Sequence, residues 1–414
     1  MRILFIHQNF PGQYRHLAPA LADDPHNQVI GIGEENAIKR LTGFHPRIRL
    51  LAYAGPPGAS PQTHHYLRSS EAAVRRGQAV ARLGLALRQQ GFVPEVICVH
   101  PAWGEALFLK DVFPNARVLL YLEFFYRSWG SDMNFDAEFP TSFDDQCRAR
   151  VRNTTQLLSL EAADAGISPT EWQRQQYPAV FQPQITVTHD GIQTSLVCPG
   201  PVSGFRLPDG RGSLNSGDEV ITYVARNLEP YRGFHMFMRA LPKVLAARPR
   251  AQALIVGGDE VSYGRPPPAG SSYKSIYLEE VSNALDLERV HFLGKVPYST
   301  FIEVLRLSSA HVYLTYPFVL SWSLLEAMSC ACPIIASDTA PVREVISAGD
   351  NGLLVDFFAP EALAETIVSV LAEPQQMTGI RQQARRDVQE RFDLTTVTLP
   401  RMIKLIQDLA ISRS

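Results

Sequence analysis

Two arginines in the second half of the chain, Arg226 and Arg232, follow an apolar run of strand length. Gly233 comes directly after Arg232. Each guanidinium can form hydrogen bonds worth about 1.5–3 kcal/mol with an anion, and the glycine lets backbone approach a ligand. An isolated arginine is usually a solvated surface residue. A pair of exposed loop cations at one strand end is better placed to neutralise a diphosphate, and we predict that ligand here.

A second candidate site begins a helix. Residues 316–330 follow a predicted strand, and the first backbone N–H groups of the helix have no intrahelical partners. These groups lie at the positive end of the helix dipole, which suits phosphate. The candidate donors are Ser321, Trp322, Ser323 and Leu324. One turn further, Glu326 could accept hydrogen bonds from ribose hydroxyls, although an interaction with the helix dipole explains this glutamate equally well.

Both groups lie among apolar runs of strand length that alternate with longer helical stretches, the pattern of parallel sheets built from βαβ units. In the first half, strands are predicted at 3–7, 29–32, 49–53, 96–99, 118–122, 165–167 and 185–188. In the second half, strands are predicted at 220–224, 251–256, 290–292 and 311–314, with helices at 233–247, 276–285 and 299–307. The predicted fold class is α/β, with two Rossmann-like, doubly wound domains that bind ligands at the carboxyl ends of their strands.

The composition changes around residues 199–218 to Pro, Gly, Ser, Asp and Arg, and no apolar periodicity continues through this segment. We therefore predict a linker at 201–218 between a first domain at 1–200 and a second at 219–395. The proline-rich segment 264–272 is interpreted as a variable surface loop. An arginine-rich helix predicted at 70–90 is interpreted as solvated, with contact to anionic lipid as the alternative.

Bulk properties limit the possible functions. Lys and Arg total 39 and Asp and Glu total 41, so the net charge of −2 gives no field that attracts nucleic acid. Cys330 and Cys332 lack the second cysteine pair or the histidines that a zinc site needs, and five cysteines form no obvious disulfide framework. No apolar stretch approaches the roughly 20 residues that span a bilayer, and signal-peptide features are missing. We expect a cytoplasmic protein, with peripheral contact at the inner face of the membrane left open.

Acidic residues at Asp132, Asp136 and Glu138 have a spacing that resembles the start of a calcium-binding loop. The glycine and the terminal glutamate that such a loop requires are missing. We therefore favour a flexible acceptor loop over a metal site, and no metal ligand is predicted in the chain.

The motifs around these candidates resemble glycosyltransferase family 4. In the second half, the resemblance is carried by Arg226 with Arg232-Gly233 and by the runs 323–328, 333–338 and 351–355. In the first half, a bacterial subgroup of the family is matched by the runs 7–14, 100–105, 108–113 and 189–192. The resemblance implies the GT-B fold, in which an acceptor domain and a nucleotide-sugar domain face each other across a cleft. A final helix at 396–414 would cross back to the first domain.

The resemblance also implies roles for individual residues. Arg226 and Arg232 would bind the diphosphate, with Arg232 standing where the family usually has lysine, and Glu326 would bind the ribose. The donor site implied in this way comprises Gly12, Gln13, Arg226, Arg232, Val296, Ser321, Trp322, Ser323, Leu324 and Glu326. A plain tight turn is the alternative for Gly12. His100, Trp103 and Glu105 would line the acceptor side.

Two positions depart from the family pattern. Phe318 stands where relatives have the first of two motif glutamates, so the usual contact to the donor sugar is missing. Glu123 lies near the position at which many relatives carry a histidine facing the reacting carbon, and it could take over that polar role, with another purpose of this strand end as the alternative. Together with His100, Arg226 and Arg232, it completes the candidate catalytic group.

The implied function is that of a retaining glycosyltransferase that needs no metal and no cofactor, because the nucleotide sugar is itself a substrate. UDP-sugars are favoured over GDP-sugars. The acceptor would be a glycan, a lipid-linked compound or another hydroxyl compound of polysaccharide or glycoconjugate biosynthesis. A non-catalytic sugar-nucleotide-binding subunit and a sugar-nucleotide epimerase are the alternatives, and the oligomeric state is left open.

Overall fold

Two parallel β-sheets organise the chain, and each belongs to a unit of its own. The computed structural model describes residues 1–41 and 43–411. The first unit consists of Met1–Gly191 together with the chain from Thr395 onward, and the second unit consists of Ile192–Leu394. The chain therefore passes from the first unit into the second and returns to the first.

The first unit contains a seven-stranded sheet. Its strands are β1 (Arg2–Ile6), β2 (Gln28–Glu34), β3 (Ile48–Tyr53), β4 (Val96–Val99), β5 (Arg117–Tyr121), β6 (Ala165–Ser168) and β7 (Ile185–Val187). All neighbouring pairs are parallel, in the order β3-β2-β1-β4-β5-β6-β7. Apolar residues fill β1 and are fully buried from Ile3 to Ile6, as in a parallel sheet that is covered on both faces. The seven strands predicted in the first half are confirmed.

Helices connect these strands. They are α1 (Leu17–Asp23), α2 (Glu35–Ile38), α3 (Arg68–Gln89), α4 (Leu109–Val112), α5 (Phe143–Ala162) and α6 (Glu171–Gln176). Helix α3 agrees with the helix predicted at 70–90, and its buried residues include Val80 and Leu87, which pack in the same apolar core as Ile30 and Ile97.

Residues 201–218, predicted as a linker, belong to the second unit. They contain an antiparallel hairpin of β8 (Phe205–Arg206) and β9 (Ser213–Leu214). Phe205, Leu207 and Leu214 are buried in one apolar cluster with Val220. The glycines and prolines of this segment form turns between apolar anchors, and the division between the units lies earlier, after Gly191.

The second unit contains a six-stranded parallel sheet. Its strands are β10 (Val220–Asn227), β11 (Gln252–Gly258), β12 (Val290–Gly294), β13 (Ala310–Tyr313), β14 (Ile334–Ser337) and β15 (Leu353–Val355). They lie in the order β12-β11-β10-β13-β14-β15. The helices are α7 (Phe234–Ala247), α8 (Tyr273–Val281), α9 (Tyr298–Leu307), α10 (Trp322–Ser329), α11 (Ala340–Arg343), α12 (Pro360–Ala372) and α13 (Met377–Phe392). The prediction of two Rossmann-like domains is confirmed.

Both sheets reverse their strand order at a central point, between β1 and β4 in the first unit and between β10 and β13 in the second. In open α/β sheets, the loops that follow the two strands at such a switch point diverge and leave a crevice for a ligand. The candidate ligand-binding segments are therefore those after β1 and β4 and those after β10 and β13.

The last helix, α14 (Leu399–Ile411), belongs to the first unit. Met402 and Ile406 are buried in one apolar cluster with Ile3, Cys98 and Leu119 of the first sheet. The predicted segment 396–414 begins within the π-helical turn Leu394–Thr398 that precedes α14, and its last three residues lie outside the described residues. In the described part of the chain, no helix combines the length and the apolar character that crossing a membrane requires.

Candidate functional site

Arg232 lies in the loop after β10, at the switch point of the second unit. Gly233 follows it with φ of 68°, and a Cβ at that position would come within 2.3 Å of Leu314 Cβ, so only glycine is accommodated. The Tyr223 hydroxyl donates to the Arg232 carbonyl oxygen at 2.6 Å. These contacts hold the loop against the segment that leaves β13.

The Arg232 side chain is buried, with 7% of its surface exposed, and the expectation of an exposed loop cation is wrong. Its Nη1 donates to Thr315 Oγ1 at 2.9 Å and to the Val319 carbonyl oxygen at 3.0 Å. Within residues 1–41 and 43–411, no carboxylate forms an ion pair with it, and its charge faces the rings of Tyr263 and Phe318 instead. Burial opposes the charged form of Arg232, but the nearby Tyr313, Tyr263 and Glu229 side chains favour it and raise its pKa. Because no carboxylate bonds to it directly, this guanidinium is a candidate for anion binding.

The N-terminus of α10 is next to Arg232 through Val319, but its N–H groups are largely occupied. The Ser321 N–H donates to Tyr313 Oη at 2.9 Å, the Ser323 N–H donates to Ser321 Oγ at 3.3 Å, and the Leu324 N–H donates to the Ser321 carbonyl oxygen at 3.2 Å. Ser321 therefore acts as the N-cap that the sequence pattern favours. The sequence predicted free N–H groups here for phosphate, and this needs a correction, because an anion would have to replace the Ser321 hydroxyl.

Side chains along α10 differ in what they can contact. Ser323 and Leu324 are buried, whereas Trp322 keeps 36% of its surface exposed. Glu326 is the fifth residue of the helix and is half-buried, and its Oε1 accepts a hydrogen bond from the Tyr298 hydroxyl at 2.6 Å. Because Glu326 lies beyond the first turn, an interaction with the helix dipole explains it less well than a polar contact does.

The remaining donor-site candidates of the second unit lie at neighbouring strand ends. Val296 is half-buried between β12 and α9, in the same loop as Lys295. Arg226 is exposed at the end of β10. Lys295 chiefly, and Arg226 to a smaller extent, hold the pKa of Glu260 below its usual value. The structure thus places Arg226 near Glu260, and Arg232 beside the segment that leads into α10.

Phe318 belongs to an aromatic cluster around Arg232. It is buried, and its ring centroid lies 4.9 Å from that of Tyr263 and 5.5 Å from that of Tyr231. The ring of Tyr231 also packs against Tyr316 at 4.7 Å. Phe318 is therefore part of an apolar wall, and Tyr263 is the more exposed ring of this wall.

In the first unit, the segments after β1, β4 and β5 bring polar side chains together. His100 stacks on Trp103 with ring centroids 4.4 Å apart, and His100 Nε2 lies 3.4 Å from Glu123 Oε2. His7 meets both rings edge-on, at 5.3 Å from His100 and 5.2 Å from Trp103. His100, Trp103 and Glu123 therefore form one group, as their assignment to a common site requires, and His7 is an additional member.

The tautomers of the two histidines follow from backbone contacts. His7 Nδ1 accepts the Asn9 N–H at 2.9 Å, and His100 Nδ1 accepts the Ala102 N–H at 3.3 Å. In the neutral rings the proton is therefore on Nε2. Burial chiefly, and the neighbouring His100 in addition, lower the pKa of His7 to about 3, so His7 is a neutral donor at physiological pH.

The turn after β1 packs directly on His7. Gly12 has φ of 49°, and a Cβ there would lie 2.6 Å from His7 Nε2, so a close packing requirement accompanies the turn. Gln13 and Tyr14 complete the turn and line a cavity of about 10 Å³ together with Tyr121 and Asp190. The backbone at Gly12 thus sets the position of the His7 ring.

Glu105 was predicted to line the acceptor side, but it lies in the interior of the first unit. It is fully buried, its Oε1 accepts a hydrogen bond from the Tyr53 hydroxyl at 2.9 Å, and burial raises its pKa. Arg76 lies 3.8 Å from it and donates to the Trp103 carbonyl oxygen at 3.0 Å. Glu105 therefore supports the Trp103 loop from the interior, and it cannot line an open acceptor surface.

The acidic loop places its carboxylates in local hydrogen bonds, and its flexibility stays a prediction. Asp132 and Asp136 are buried, the Ser131 hydroxyl donates to Asp132 Oδ1 at 3.0 Å, and the Glu138 N–H donates to Asp136 Oδ1 at 2.9 Å. These carboxylates take part in the turns of the loop.

Buried polar atoms without a hydrogen-bond partner accumulate at the switch point of the first unit. Among the residues that the structure describes, these atoms are His7 Nε2, Gln8 Oε1, Gln13 Oε1, Tyr14 Oη, Arg76 Nε, His100 Nε2 and Glu105 Oε2. Buried polar groups are normally paired, so such a concentration indicates a place where ligand or water completes the hydrogen bonding.

Several residues of these groups were not predicted. His7 directly follows β1 as His100 directly follows β4, and a polar residue at a predicted strand end was the signal that could have found it. Glu229 and Tyr263 lie close to Arg232 and were not among the predicted site residues. The contributions of Tyr53 and Arg76 depend on packing between distant segments, for which the sequence carries no local signal.

Two Rossmann-like domains with parallel sheets are the fold of the GT-B glycosyltransferases. A family model described as "Glycosyl transferase family 4 group" matches residues 25–197, and one described as "Glycosyl transferases group 1" matches residues 209–387. The two matches together take up most of the chain, which belongs to the family 4 type of GT-B glycosyltransferases.

Curated relatives and solved structures agree with this assignment. A D-inositol 3-phosphate glycosyltransferase of Mycolicibacterium vanbaalenii is 26% identical over 54% of this chain and 49% of its own length. A phosphatidyl-myo-inositol mannosyltransferase of Mycolicibacterium smegmatis is 30% identical over 43% and 42%, respectively. The chain therefore matches less than half of the length of either relative.

Two solved structures resemble the whole chain. Sucrose-phosphate synthase from Thermosynechococcus elongatus has a TM-score of 0.74 at 19% identity, with 100% of both chains covered. Anabaena HepE in complex with UDP has a TM-score of 0.68 at 15% identity, covering 99% of this chain and 100% of that one. At these identities the likeness establishes the fold.

Proposed function

We propose that the protein is a retaining glycosyltransferase that transfers a sugar from a nucleoside-diphosphate sugar to a hydroxyl acceptor. The observation that carries this proposal is the buried Arg232 guanidinium, which forms no direct ion pair with a carboxylate in the described part of the chain and lies at the switch point of the second unit. A diphosphate would supply a directly bonded counter-charge. UDP is the favoured nucleotide, and the solved complex of HepE with UDP supports this choice by analogy.

The donor would be bound by groups of the second unit. Arg232 would contact the diphosphate, and Arg226 would add a second positive charge. The N–H groups at the N-terminus of α10 would donate to a phosphate oxygen once the Ser321 hydroxyl has moved. Glu326 would exchange its hydrogen bond from Tyr298 for one from a ribose hydroxyl. The proposal includes no metal ion, because arginine charges serve as the counter-charge.

The chemical step would depend on positioning and charge stabilisation. Arg232 would stabilise the charge that develops on the departing diphosphate, and a phosphate oxygen would take the proton from the acceptor hydroxyl on the same face of the sugar. In the first unit, His100 and Glu123 would orient hydroxyl groups by hydrogen bonding, and Trp103 would present an aromatic surface to a sugar. Inositol-containing acceptors appear in the names of the curated relatives, and we propose a polyol, glycan or lipid-linked acceptor here.

A thermal-unfolding titration with UDP, GDP and ADP tests nucleotide binding. A ligand present at 100 times its Kd stabilises the native state by about 2.7 kcal/mol, and about 2–4 °C per kcal/mol is expected for a unit of this size. We expect UDP to raise the midpoint by about 5–10 °C. No shift with any of the three nucleotides contradicts the proposal.

Nucleotide binding alone does not distinguish a transferase from a non-catalytic sugar-nucleotide-binding subunit or an epimerase. Release of the nucleoside diphosphate from its sugar does, because a binding subunit releases none and an epimerase returns an intact nucleotide sugar. We expect release that depends on a hydroxyl acceptor, with slow hydrolysis in its absence.

A further inference from the structure

In the sequence, a buried carboxylate lies between the two candidate phosphate-binding arginines, Arg226 and Arg232. Glu229 is fully buried, and it accepts backbone N–H groups from three consecutive residues: Ser262 at 3.1 Å, Tyr263 at 3.1 Å and Gly264 at 3.2 Å. In the described part of the chain it forms no ion pair with Arg226 or Arg232. The Glu229 carboxylate therefore bonds to the loop amides and acts on Arg232 only through space, which leaves the guanidinium without a direct ion pair and available for an anion.

That loop spans residues 259–272, between β11 and α8, and is long for a connection between a strand and a helix. The side chains of Asn227 and Ser262 are hydrogen-bonded at 2.7 Å, which adds a second anchor beside Glu229. At the far end, the Tyr273 hydroxyl donates to the Arg265 carbonyl oxygen at 2.7 Å. The part of the loop nearest to Arg232 is thus held by side chains of the Arg226–Arg232 segment itself.

The anchored part of the loop carries Tyr263. Its ring centroid lies 5.2 Å from Arg232 Cζ and 4.9 Å from the ring of Phe318. Tyr263 is 38% exposed, whereas Arg232 is 7% and Phe318 is 6% exposed. Tyr263 is therefore the solvent-facing member of this group, and an anion that approaches the guanidinium meets it.

We propose that residues 259–264 are part of the donor site, with Tyr263 contacting the donor and Glu229 acting as the positioning residue that holds it. This inference rests on the proposed function, since Arg232 is taken to bind the donor diphosphate. The phenol offers an O–H group to a phosphate oxygen, and the ring offers a flat apolar face to the adjoining sugar. Because Glu229 fixes three consecutive amides, the ring is held in place before the donor arrives, which lowers the ordering cost of binding.

Three variants test this arrangement, with a matched control. Tyr263→Ala removes the ring, Tyr263→Phe removes only the hydroxyl, and Glu229→Gln keeps the size of the anchor but turns an N–H₂ group toward donors. Tyr273→Phe removes a hydrogen bond from the far end of the same loop. The readouts are the Kd for UDP by calorimetry, kcat and KM for the donor, and hydrogen exchange of residues 259–272 with and without UDP.

We expect the Kd for UDP and the donor KM to rise at least tenfold in Tyr263→Ala and Glu229→Gln, and less in Tyr263→Phe, with Tyr273→Phe within twofold of wild type. UDP is expected to slow exchange of the loop in wild type but not in Glu229→Gln. A merely structural anchor would give no UDP-dependent protection. Tyr263→Ala also tests the inference if Glu229→Gln fails to fold, because the removed ring is partly exposed.

The inference and the proposed function fail differently. If wild type binds UDP and Arg232→Gln loses this binding, but Tyr263→Ala retains the wild-type Kd and KM and the loop shows no UDP-dependent protection, the inference is overturned and the proposed function stands. If wild type binds no nucleoside diphosphate, the proposed function fails, and the inference that depends on it fails as well.

Discussion

Replacing Arg232 by glutamine removes the charge that we assign to the donor diphosphate while keeping a neutral hydrogen-bond donor. Replacing it by lysine keeps the charge and removes the planar fork. In the structure, Nη1 of this guanidinium donates to Thr315 Oγ1 and to the Val319 carbonyl oxygen, so each substitution also disturbs the folded state. The two effects have to be measured separately.

The expected magnitudes differ for stability and for turnover. Leaving the Val319 carbonyl without a good donor costs about 1–3 kcal/mol, and the release of a desolvated charge offsets part of this. Removing one preorganised charged donor from a developing negative charge costs about 2.7–4 kcal/mol, or about 100–1,000-fold in kcat. We therefore expect Arg232→Gln to lower kcat/KM at least 100-fold with modest loss of stability, and Arg232→Lys to retain more activity than Arg232→Gln.

Steady-state kinetics with the active donor and urea unfolding provide the two measurements. Arg289→Gln is the matched control, because Arg289 lies in the same unit and donates to the backbone carbonyl oxygens of Arg248 at 3.0 Å and Leu245 at 3.0 Å, at the end of α7. We expect this control to lose stability and to keep kcat/KM. If Arg232→Gln turns over like wild type, or if the Arg289→Gln control loses as much kcat/KM as Arg232→Gln, the assignment of Arg232 is refuted.

Four further predictions concern other parts of the two sites. Glu123→Gln should lower kcat at least tenfold while leaving the Kd for UDP within twofold, because the lost charge faces His100 in the first unit; wild-type kcat would remove Glu123 from the catalytic group. Phe318→Glu should not raise transfer and should weaken UDP binding, because a carboxylate at that position would neutralise Arg232; increased turnover would contradict this. In urea unfolding, Gly233→Ala should lose at least about 2 kcal/mol more of the free energy of unfolding than Gly294→Ala. Both residues have a left-handed φ, but only at Gly233 would the added Cβ come within 2.3 Å of Leu314. Equal losses would contradict the clash. The pKa of His7 is lowered from 6.5 to about 3, so the stability that it contributes is present above pH 6.5 and is lost as the pH falls toward 3. Between pH 6.5 and 5, the free energy of unfolding of His7→Gln should therefore fall by about 2 kcal/mol less than that of wild type. An unchanged pH dependence would show that His7 is not buried as a neutral ring.

Much of the fold could be predicted because parallel sheets have a strong local signature. Runs such as Ile3–Ile6 and Val96–Val99 are apolar throughout, since a strand covered on both faces has no solvated side. The segment 201–218 was harder, because its few apolar anchors are separated by turn residues and resemble a linker in composition. Only the packing of Phe205 and Leu214 against Val220 shows that it belongs to the second unit.

The site was predictable at strand ends and unpredictable where distant segments meet. His100, Glu123 and Trp103 follow neighbouring strands, and the structure brings them together as expected. Whether a polar side chain at such a position is exposed or buried depends on what covers it. Glu105 is enclosed by Tyr53 and Arg76, and Arg232 is covered by Tyr263, and none of these partners is near in sequence.

The central claim is that the protein transfers a sugar from a nucleoside-diphosphate donor with retention of configuration. Incubation with UDP-sugars and a panel of polyol and glycan acceptors, followed by NMR analysis of the anomeric proton during the first turnovers, tests this claim directly. We predict acceptor-dependent release of UDP and a product with the anomeric configuration of the donor, and loss of both in Arg232→Gln. A product of inverted configuration, or a donor that binds and is never cleaved, would contradict the account.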